Sequence, residues 1–91
     1  MTRAHAIETG HGRISIAESK GGPVVLLIHG NSSCKEVFRN QFDGDLGRRY
    51  RMIAMDLPGH GASEDARDTE RGYTMPRYAD AAVQVLAGCG V

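Results

Sequence analysis

The chain has 91 residues, and its 11 Lys and Arg balance its 11 Asp and Glu, so it carries no net charge. Since a typical domain has about 150 residues, this length excludes a second independent domain. The balanced charge argues against nucleic-acid and anionic-membrane partners, which select basic surfaces, and 41% hydrophobic residues are ordinary for a globular protein.

The first predicted element is an antiparallel hairpin. Ala6–Thr9 and Arg13–Glu18 flank the glycine-containing turn Gly10–Gly12, and Ile14 and Ile16 alternate with polar residues with the period of a strand. The amino terminus lacks the apolar segment of a secretory signal, so we expect a cytoplasmic location.

The second predicted element is a buried strand. Val24–Ile28 is apolar on both faces, which predicts a central, parallel strand, and it is far shorter than the roughly 18 residues of a membrane span. After it, Ser32 or Ser33 is a suitable N-cap for a short helix over Lys35–Phe42.

The middle of the chain alternates turns with one more strand. Gly44–Arg49 predicts a polar turn, and Tyr50–Met55 predicts a second buried strand that ends at Asp56. Leu57–Ser63 predicts a loop because its proline lacks a backbone donor and its glycines favour positive φ. A charged loop follows to Arg71.

The last predicted element is a helix that packs on the sheet. Thr74 is suited to the N-cap, Pro76 to the first turn, and Gly88 to the carboxyl-terminal stop. The apolar residues at helical spacing are Met75, Tyr78, Ala79, Ala82, Val83 and Leu86. A hairpin followed by strand, helix, strand and helix predicts an α/β domain.

Two glycine-bearing turns leave neighbouring predicted strands, His29–Ser33 after the first and Asp56–Ser63 after the second. Open α/β sheets bind ligands at the carboxyl ends of their strands, and a backbone N–H just past such a turn can stabilise an oxyanion. We therefore predict that the two turns share one rim, where the amide after Gly30 faces a pocket.

These motifs resemble the amino-terminal third of an α/β-hydrolase. The matching segments are Val24–Asn31 and Ile53–Ser63, and the leading hairpin, both strands and the last helix follow the family's order. In that family the H-G-x turn carries an oxyanion-hole amide, and the D-x-P-G-x-G-x-S loop is a structural loop near the active site. The resemblance implies that the Asn31 backbone N–H is a catalytic oxyanion donor and that Gly30, Asn31 and Ser32 bind substrate.

A narrower resemblance concerns the substrate. Gly30–Ser33, Asp65–Ala66, Tyr73, Met75 and Tyr78–Ala81 are similar to the α/β-hydrolases that open the lactone ring of N-acyl-homoserine lactones. Haloalkane dehalogenases, epoxide hydrolases and haloperoxidase-like esterases share the same opening, although dehalogenases usually have proline at the position of Ser32. The implied substrate is a small ester or lactone, and the resemblance implies neither a cofactor nor a metal.

The sequence contains no G-x-S-x-G nucleophile elbow, which must precede an acid and a histidine base. In the family that the chain resembles, the elbow follows the next strand, which would begin near Cys89–Val91. We therefore expect residues 1–91 to form a partial, incomplete α/β-hydrolase domain, truncated before the elbow and inactive alone. The alternative is a non-catalytic fragment or association module that pairs with a complementary chain, or with itself, through an open sheet edge.

Five residues have competing interpretations. Ser32 lies in a near match to the elbow motif, but Cys34 stands where the last glycine is required. Cys34 and Cys89 belong to no C-x-x-C motif and are expected to be packing residues. His29 is expected to make structural hydrogen bonds, whereas Asp56 at a strand end is a candidate for a ribose or a metal.

Overall fold

The computed structural model describes residues 3–91. Four strands, one 3₁₀ helix and three α-helices form in the order β1 Arg3–Thr9, β2 Gly12–Glu18, β3 Val24–Ile28, 3₁₀ helix Lys35–Phe38, α1 Arg39–Asp43, α2 Asp45–Arg49, β4 Arg51–Met55 and α3 Met75–Gly88. Within this part of the chain, no helix has the length and apolar content needed to cross a membrane.

The strands form one mixed sheet in the order β1-β2-β4-β3. β1 and β2 form the predicted antiparallel hairpin, β2 pairs antiparallel with β4, and β3 pairs parallel with β4 from Val24 opposite Arg51 to Ile28 opposite Met55. The predicted α/β class and the parallel strand pair are therefore confirmed.

The central strand is β4 and not β3, so the prediction of a central Val24–Ile28 strand is wrong for residues 3–91. β4 has a partner on each side, and Met52–Met55 are buried. β3 pairs only with β4, and its end residues Val24 and Ile28 are 38% and 47% exposed. An apolar run shows that a strand is suited to burial, but not which neighbours cover it.

Alternating side chains of β4 contribute to a core on each face of the sheet. One cluster consists of Ile14, Ile16, Ile53, Met55, Leu57, Ala81, Ala82 and Val85. The other consists of Ala17, Phe42, Met52 and Ala54. The sheet is therefore covered by α3 on one face and by the segment around Phe42 on the other.

The region between β3 and β4 contains more helix than the sequence predicted. The predicted helix Lys35–Phe42 begins as a 3₁₀ helix and continues as α1, and the predicted turn Gly44–Arg49 contains helix α2. The sequence of α2 has no apolar stripe, and its one large apolar side chain, Leu46, is 47% exposed. Its ends are stabilised electrostatically instead, with Asp45 in the first turn and two arginines in the last.

The ends of α3 agree with the prediction at one side only. The Thr74 hydroxyl oxygen accepts a hydrogen bond from the Arg77 N–H, and Pro76 lies in the first turn, as predicted. The helix includes Gly88, which was expected to stop it, and the left-handed residue that ends it is Gly90, with φ of 78°. The N–H of Gly90 donates to a carbonyl of the last turn, which closes the helix.

The buried face of α3 is rotated from the predicted stripe. Ala81, Ala82 and Val85 are buried, whereas Met75 and Val83 are 78% and 63% exposed. The isoleucines of β2 and β4 meet the helix on the side of Val85, and this contact decides which of two neighbouring apolar rows becomes core.

Substitution of two valines of α3 tests which face of the helix is buried. We expect Val85→Ala to lower the free energy of unfolding by about 1.5–3 kcal/mol, because two buried methyl groups are removed and a cavity remains. Val83→Ala should change it by less than about 0.5 kcal/mol. Urea unfolding measures both values, and equal losses would contradict the assigned face.

Candidate active site

The turns that follow β3 and β4 meet at one rim of the sheet. The ring of His29, after β3, lies 5.0 Å from the ring of His60, after β4, measured between centroids. The His60 ring in turn meets the edge of Tyr78 on α3 at 6.5 Å. The prediction of a common rim is therefore confirmed, and α3 contributes a third side.

A cavity of about 470 Å³ opens at this rim. Its wall consists of Ile28, His29, Gly30, Asn31, Leu57, Met75, Tyr78 and Ala79. Of the predicted substrate-binding residues, Gly30 and Asn31 are part of the wall, while Ser32 is not. Apolar lining with a few polar groups is typical of small-molecule sites.

Three of the cavity's wall residues were assigned by sequence to other roles. Met75 and Ala79 were placed in the core stripe of α3, but both are exposed and face the cavity. Leu57 was placed in the loop after β4, yet it is buried and contributes to the same wall. The similarity of Met75 and Tyr78–Ala81 to lactone-opening hydrolases was the sequence signal that pointed to the part of the wall that α3 contributes.

Asn31 presents a free donor at the rim. Asn31 is exposed, and within residues 3–91 its backbone N–H and its side chain have no hydrogen-bond partner. At the neighbouring Gly30, an added Cβ would meet no atom within 4 Å. A ligand can therefore approach the backbone closely at Gly30 and accept a hydrogen bond from the next amide.

His29 is fully engaged in structural hydrogen bonds. It is 4% exposed, its Nδ1 donates to the Gly30 carbonyl at 2.7 Å, and its Nε2 accepts from the Leu57 N–H at 3.1 Å. This arrangement requires the neutral ring with the proton on Nδ1. Since neither nitrogen is available to a substrate, His29 connects the two turns and does not act as a base.

Asp56 forms a buried ion pair with a lysine that the sequence analysis did not single out. Its carboxylate accepts from Lys35 Nζ at 2.8 Å, from the Lys35 N–H at 2.7 Å and from the Ala62 N–H at 3.0 Å. Asp56 is 0% exposed and Lys35 5% exposed, and the Lys35 ammonium also contacts Glu36 at 3.1 Å. These bonds occupy Asp56 and argue against the ribose and metal interpretations.

Both partners remain charged at neutral pH. Burial acts to raise the pKa of Asp56, but the hydrogen bonds from Lys35 and Ala62 outweigh it and hold this pKa below its ordinary value. Burial acts to lower the pKa of Lys35, and its bonds to Asp56 and Glu36 raise it instead. The pair therefore stabilises the fold fully between the ordinary values of about 3.9 and 10.4, and its contribution is lost as pH falls through the folded pKa of Asp56.

The loop after β4 is held by hydrogen bonds of the Ser63 and Tyr73 hydroxyl groups. Ser63 Oγ donates to the Asp56 carbonyl at 2.7 Å and accepts from the Ser15 N–H at 2.9 Å, which ties the loop to β2. The Tyr73 hydroxyl accepts from the Ala66 N–H at 3.0 Å. These bonds of Ser63, Ala66 and Tyr73 hold the loop near the cavity, although none of the three residues lines it. Ala66 and Tyr73 are among the residues similar to lactonases.

Among residues 3–91, no cluster of three His, Cys, Asp or Glu is arranged to hold a metal ion.

Comparison with known proteins finds hydrolases by family model, by structure and by sequence. A family model described as alpha/beta hydrolase fold matches residues 23–90. The crystal structure of a mutant of the N-acyl homoserine lactonase AidH, in complex with N-hexanoyl homoserine, superposes with a TM-score of 0.95 and 48% identity over 100% of this chain. Curated relatives include epoxide hydrolase B of Mycobacterium tuberculosis, 32% identical over 99% of this chain, and 2-(acetamidomethylene)succinate hydrolase of Mesorhizobium japonicum, 34% identical over 81%.

These relatives are considerably longer. The chain spans 34% of the lactonase, 26% of the epoxide hydrolase and 25% of the succinate-derivative hydrolase.

Two glycines at the rim test the open space beside Asn31. We expect Gly30→Ala to change the free energy of unfolding by less than about 0.5 kcal/mol, because its Cβ meets nothing. Gly61→Ala should cost more than about 1–2 kcal/mol, since Gly61 has φ of 51° and its Cβ would overlap the Asp56 carboxyl group. Urea unfolding compares them, and a large loss for Gly30→Ala would show that this space is filled.

Proposed function

This chain belongs to the alpha/beta hydrolase fold family, and we propose that it is the amino-terminal part of a serine-dependent hydrolase of a small ester or lactone. It contributes the first oxyanion donor, the backbone N–H of Asn31, while the nucleophile, the acid and the histidine base come from outside residues 1–91. The observation that carries the proposal is the unpaired Asn31 amide at the rim of an apolar cavity.

The Asn31 amide suits the chemistry of acyl transfer. When a serine attacks an ester or lactone carbonyl, negative charge develops on the carbonyl oxygen, and fixed N–H donors stabilise it. In the elbow mechanism, the second donor is the amide of the residue after the nucleophile. The chain thus contains half of an oxyanion hole, and by itself it is inactive.

The wall of the cavity suits an N-acyl-homoserine lactone. Ile28, Leu57, Met75 and Ala79 offer apolar contact to an acyl chain, and the polar turn lies at one end. Support also comes from the 48% identity to AidH, a mutant of which has a crystal structure in complex with N-hexanoyl homoserine. The cytoplasmic location inferred from the sequence stays a prediction.

A second candidate is an association module. Within residues 3–91, β3 is an edge strand that pairs on one side, with β4, and the exposed apolar residues Val24, Ile28, Met75 and Val83 lie on β3 and on α3. Unpaired edges of this kind bind further strands. We propose that the isolated chain associates with a second copy, or with a complementary chain, through β3.

A graft tests the catalytic proposal. Residues 3–90 replace the matching third of AidH, and hydrolysis of N-hexanoyl homoserine lactone is measured. Asn31→Pro removes the N–H and should lower kcat about 100–1000-fold, the usual effect of losing one oxyanion donor. Asn31→Ala keeps the N–H and should lose far less.

The isolated chain is the control for this graft, and we expect it to leave p-nitrophenyl acetate intact. An Asn31→Pro graft as active as its parent would refute the assigned donor. Turnover by the isolated chain that Ser32→Ala abolishes would instead make Ser32 the nucleophile.

Sedimentation velocity tests the association proposal. We expect the isolated chain to sediment as a dimer or larger species, and Val24→Lys to shift it towards the monomer, because a charge on an edge strand opposes pairing. Leu46→Lys is the matched control, since Leu46 is an exposed apolar residue too, at 47% against 38% for Val24, but lies on α2. A wild-type chain that stays monomeric at its highest soluble concentration would contradict association.

A further inference from the structure

The turn of residues 30–34 is anchored at both ends to the turn that follows β4. The residues that flank it, His29 and Lys35, bind the neighbouring residues Leu57 and Asp56. At its start, His29 Nε2 accepts from the Leu57 N–H at 3.1 Å. At its end, Lys35 binds the Asp56 carboxylate through both its backbone N–H and its ammonium, at 2.7 and 2.8 Å. A five-residue segment that contains Asn31 is thus closed by two buried links.

The backbone inside this turn is strained. Ser32 has φ of 58° and is the one non-glycine residue among residues 3–91 with positive φ. Such a conformation persists where the surrounding structure over-determines it. The two links at His29 and Lys35 are the contacts that fix the turn from both sides, because Asn31 and Ser32 are themselves exposed.

Stability alone does not explain a lysine at position 35. Lys35 belongs to neither apolar cluster of the core, and among the described residues its ammonium is bound only by Asp56 and Glu36. Taking two charges out of water is costly, and a well-packed apolar pair of the same volume is often as stable. The ion pair fixes the orientation of Lys35 relative to Asp56, because the backbone N–H and the ammonium of Lys35 bind the two oxygens of one carboxylate.

We propose that Lys35 is a positioning residue that holds the turn of residues 30–34 so that the Asn31 N–H faces the cavity. The role of the Asn31 N–H as oxyanion donor rests on the proposed function. The effect of Lys35 on the order of the turn does not, because it can be measured in this chain alone. Lys35 acts through Asp56 and does not touch the substrate.

The first test measures backbone order in the chain itself by ¹⁵N relaxation. In the wild type, we expect the Asn31 amide to have an order parameter close to those of β3 and β4, about 0.85. A value below about 0.6, typical of a mobile loop, would overturn the proposal.

Variants separate positioning from general stability. Lys35→Met should lower the order parameter of Asn31 to below about 0.6, and Lys35→Arg, which keeps the charge and the donors, should restore it. Val85→Ala lowers global stability from the opposite face of the sheet and should leave Asn31 unchanged, as should Glu36→Gln, which removes only the exposed partner. An unchanged Asn31 in Lys35→Met, or an equal loss of order in Val85→Ala, would refute the role; if Lys35→Met does not fold, Lys35→Gln is judged by the same criterion.

The graft into AidH provides a kinetic readout. Lys35→Met should lower kcat at least 10-fold with KM nearly unchanged, because a misplaced oxyanion donor weakens binding of the transition state and not of the ground state. A rise in KM alone would contradict positioning of the donor. If the parent graft is inactive, the proposed function fails, while the order parameters still decide the role of Lys35.

Discussion

The buried carboxylate of Asp56 joins the segments on which this structure depends. It binds the start of the 3₁₀ helix through Lys35 and the loop after β4 through Ala62, while its own strand forms the centre of the sheet. Its position at the end of β4 brings these contacts to the rim where the cavity opens. Because the carboxylate is fully buried, removal of the Lys35 ammonium would leave its charge without the cation that pairs with it, which is costly in a buried site.

The same rim carries the backbone amide to which we assign the proposed oxyanion role. The Asn31 amide has no hydrogen-bond partner within residues 3–91, although the backbone on either side of the turn is held by the bonds of His29 and Lys35. In a hydrolase such an unpaired, fixed donor is useful because it needs no rearrangement when charge develops on the substrate. Among the described residues, the apolar wall of the cavity and the outer strand β3 lie beside it, so the proposed ligand site and the proposed pairing edge are on the same side of the sheet.

The elements that the sequence predicted well are those with a clear local signal. Ile14 and Ile16 alternate, Val24–Ile28 is continuously apolar, and Thr74 with Pro76 has the chemistry of a helix start, so the hairpin, β3 and the beginning of α3 were assigned correctly. Helix α2 was missed because charges at its ends, and not an apolar stripe, stabilise it. Lys35 gave no signal at all, since a lysine in a polar segment is normally exposed.

The sequence by itself determined the α/β class and the two glycine-bearing turns, because these depend on short-range patterns and on backbone chemistry that Gly30 and Pro58 impose locally. The resemblance of its motifs to α/β-hydrolases added the Asn31 amide as the candidate donor. Only the tertiary structure decided that, within residues 3–91, β4 and not β3 has a strand on each side, that α3 buries Val85 and not Val83, and that Lys35 pairs with Asp56. These three outcomes depend on which distant segments meet, and the free energy of such contacts is not contained in any local stretch of the chain.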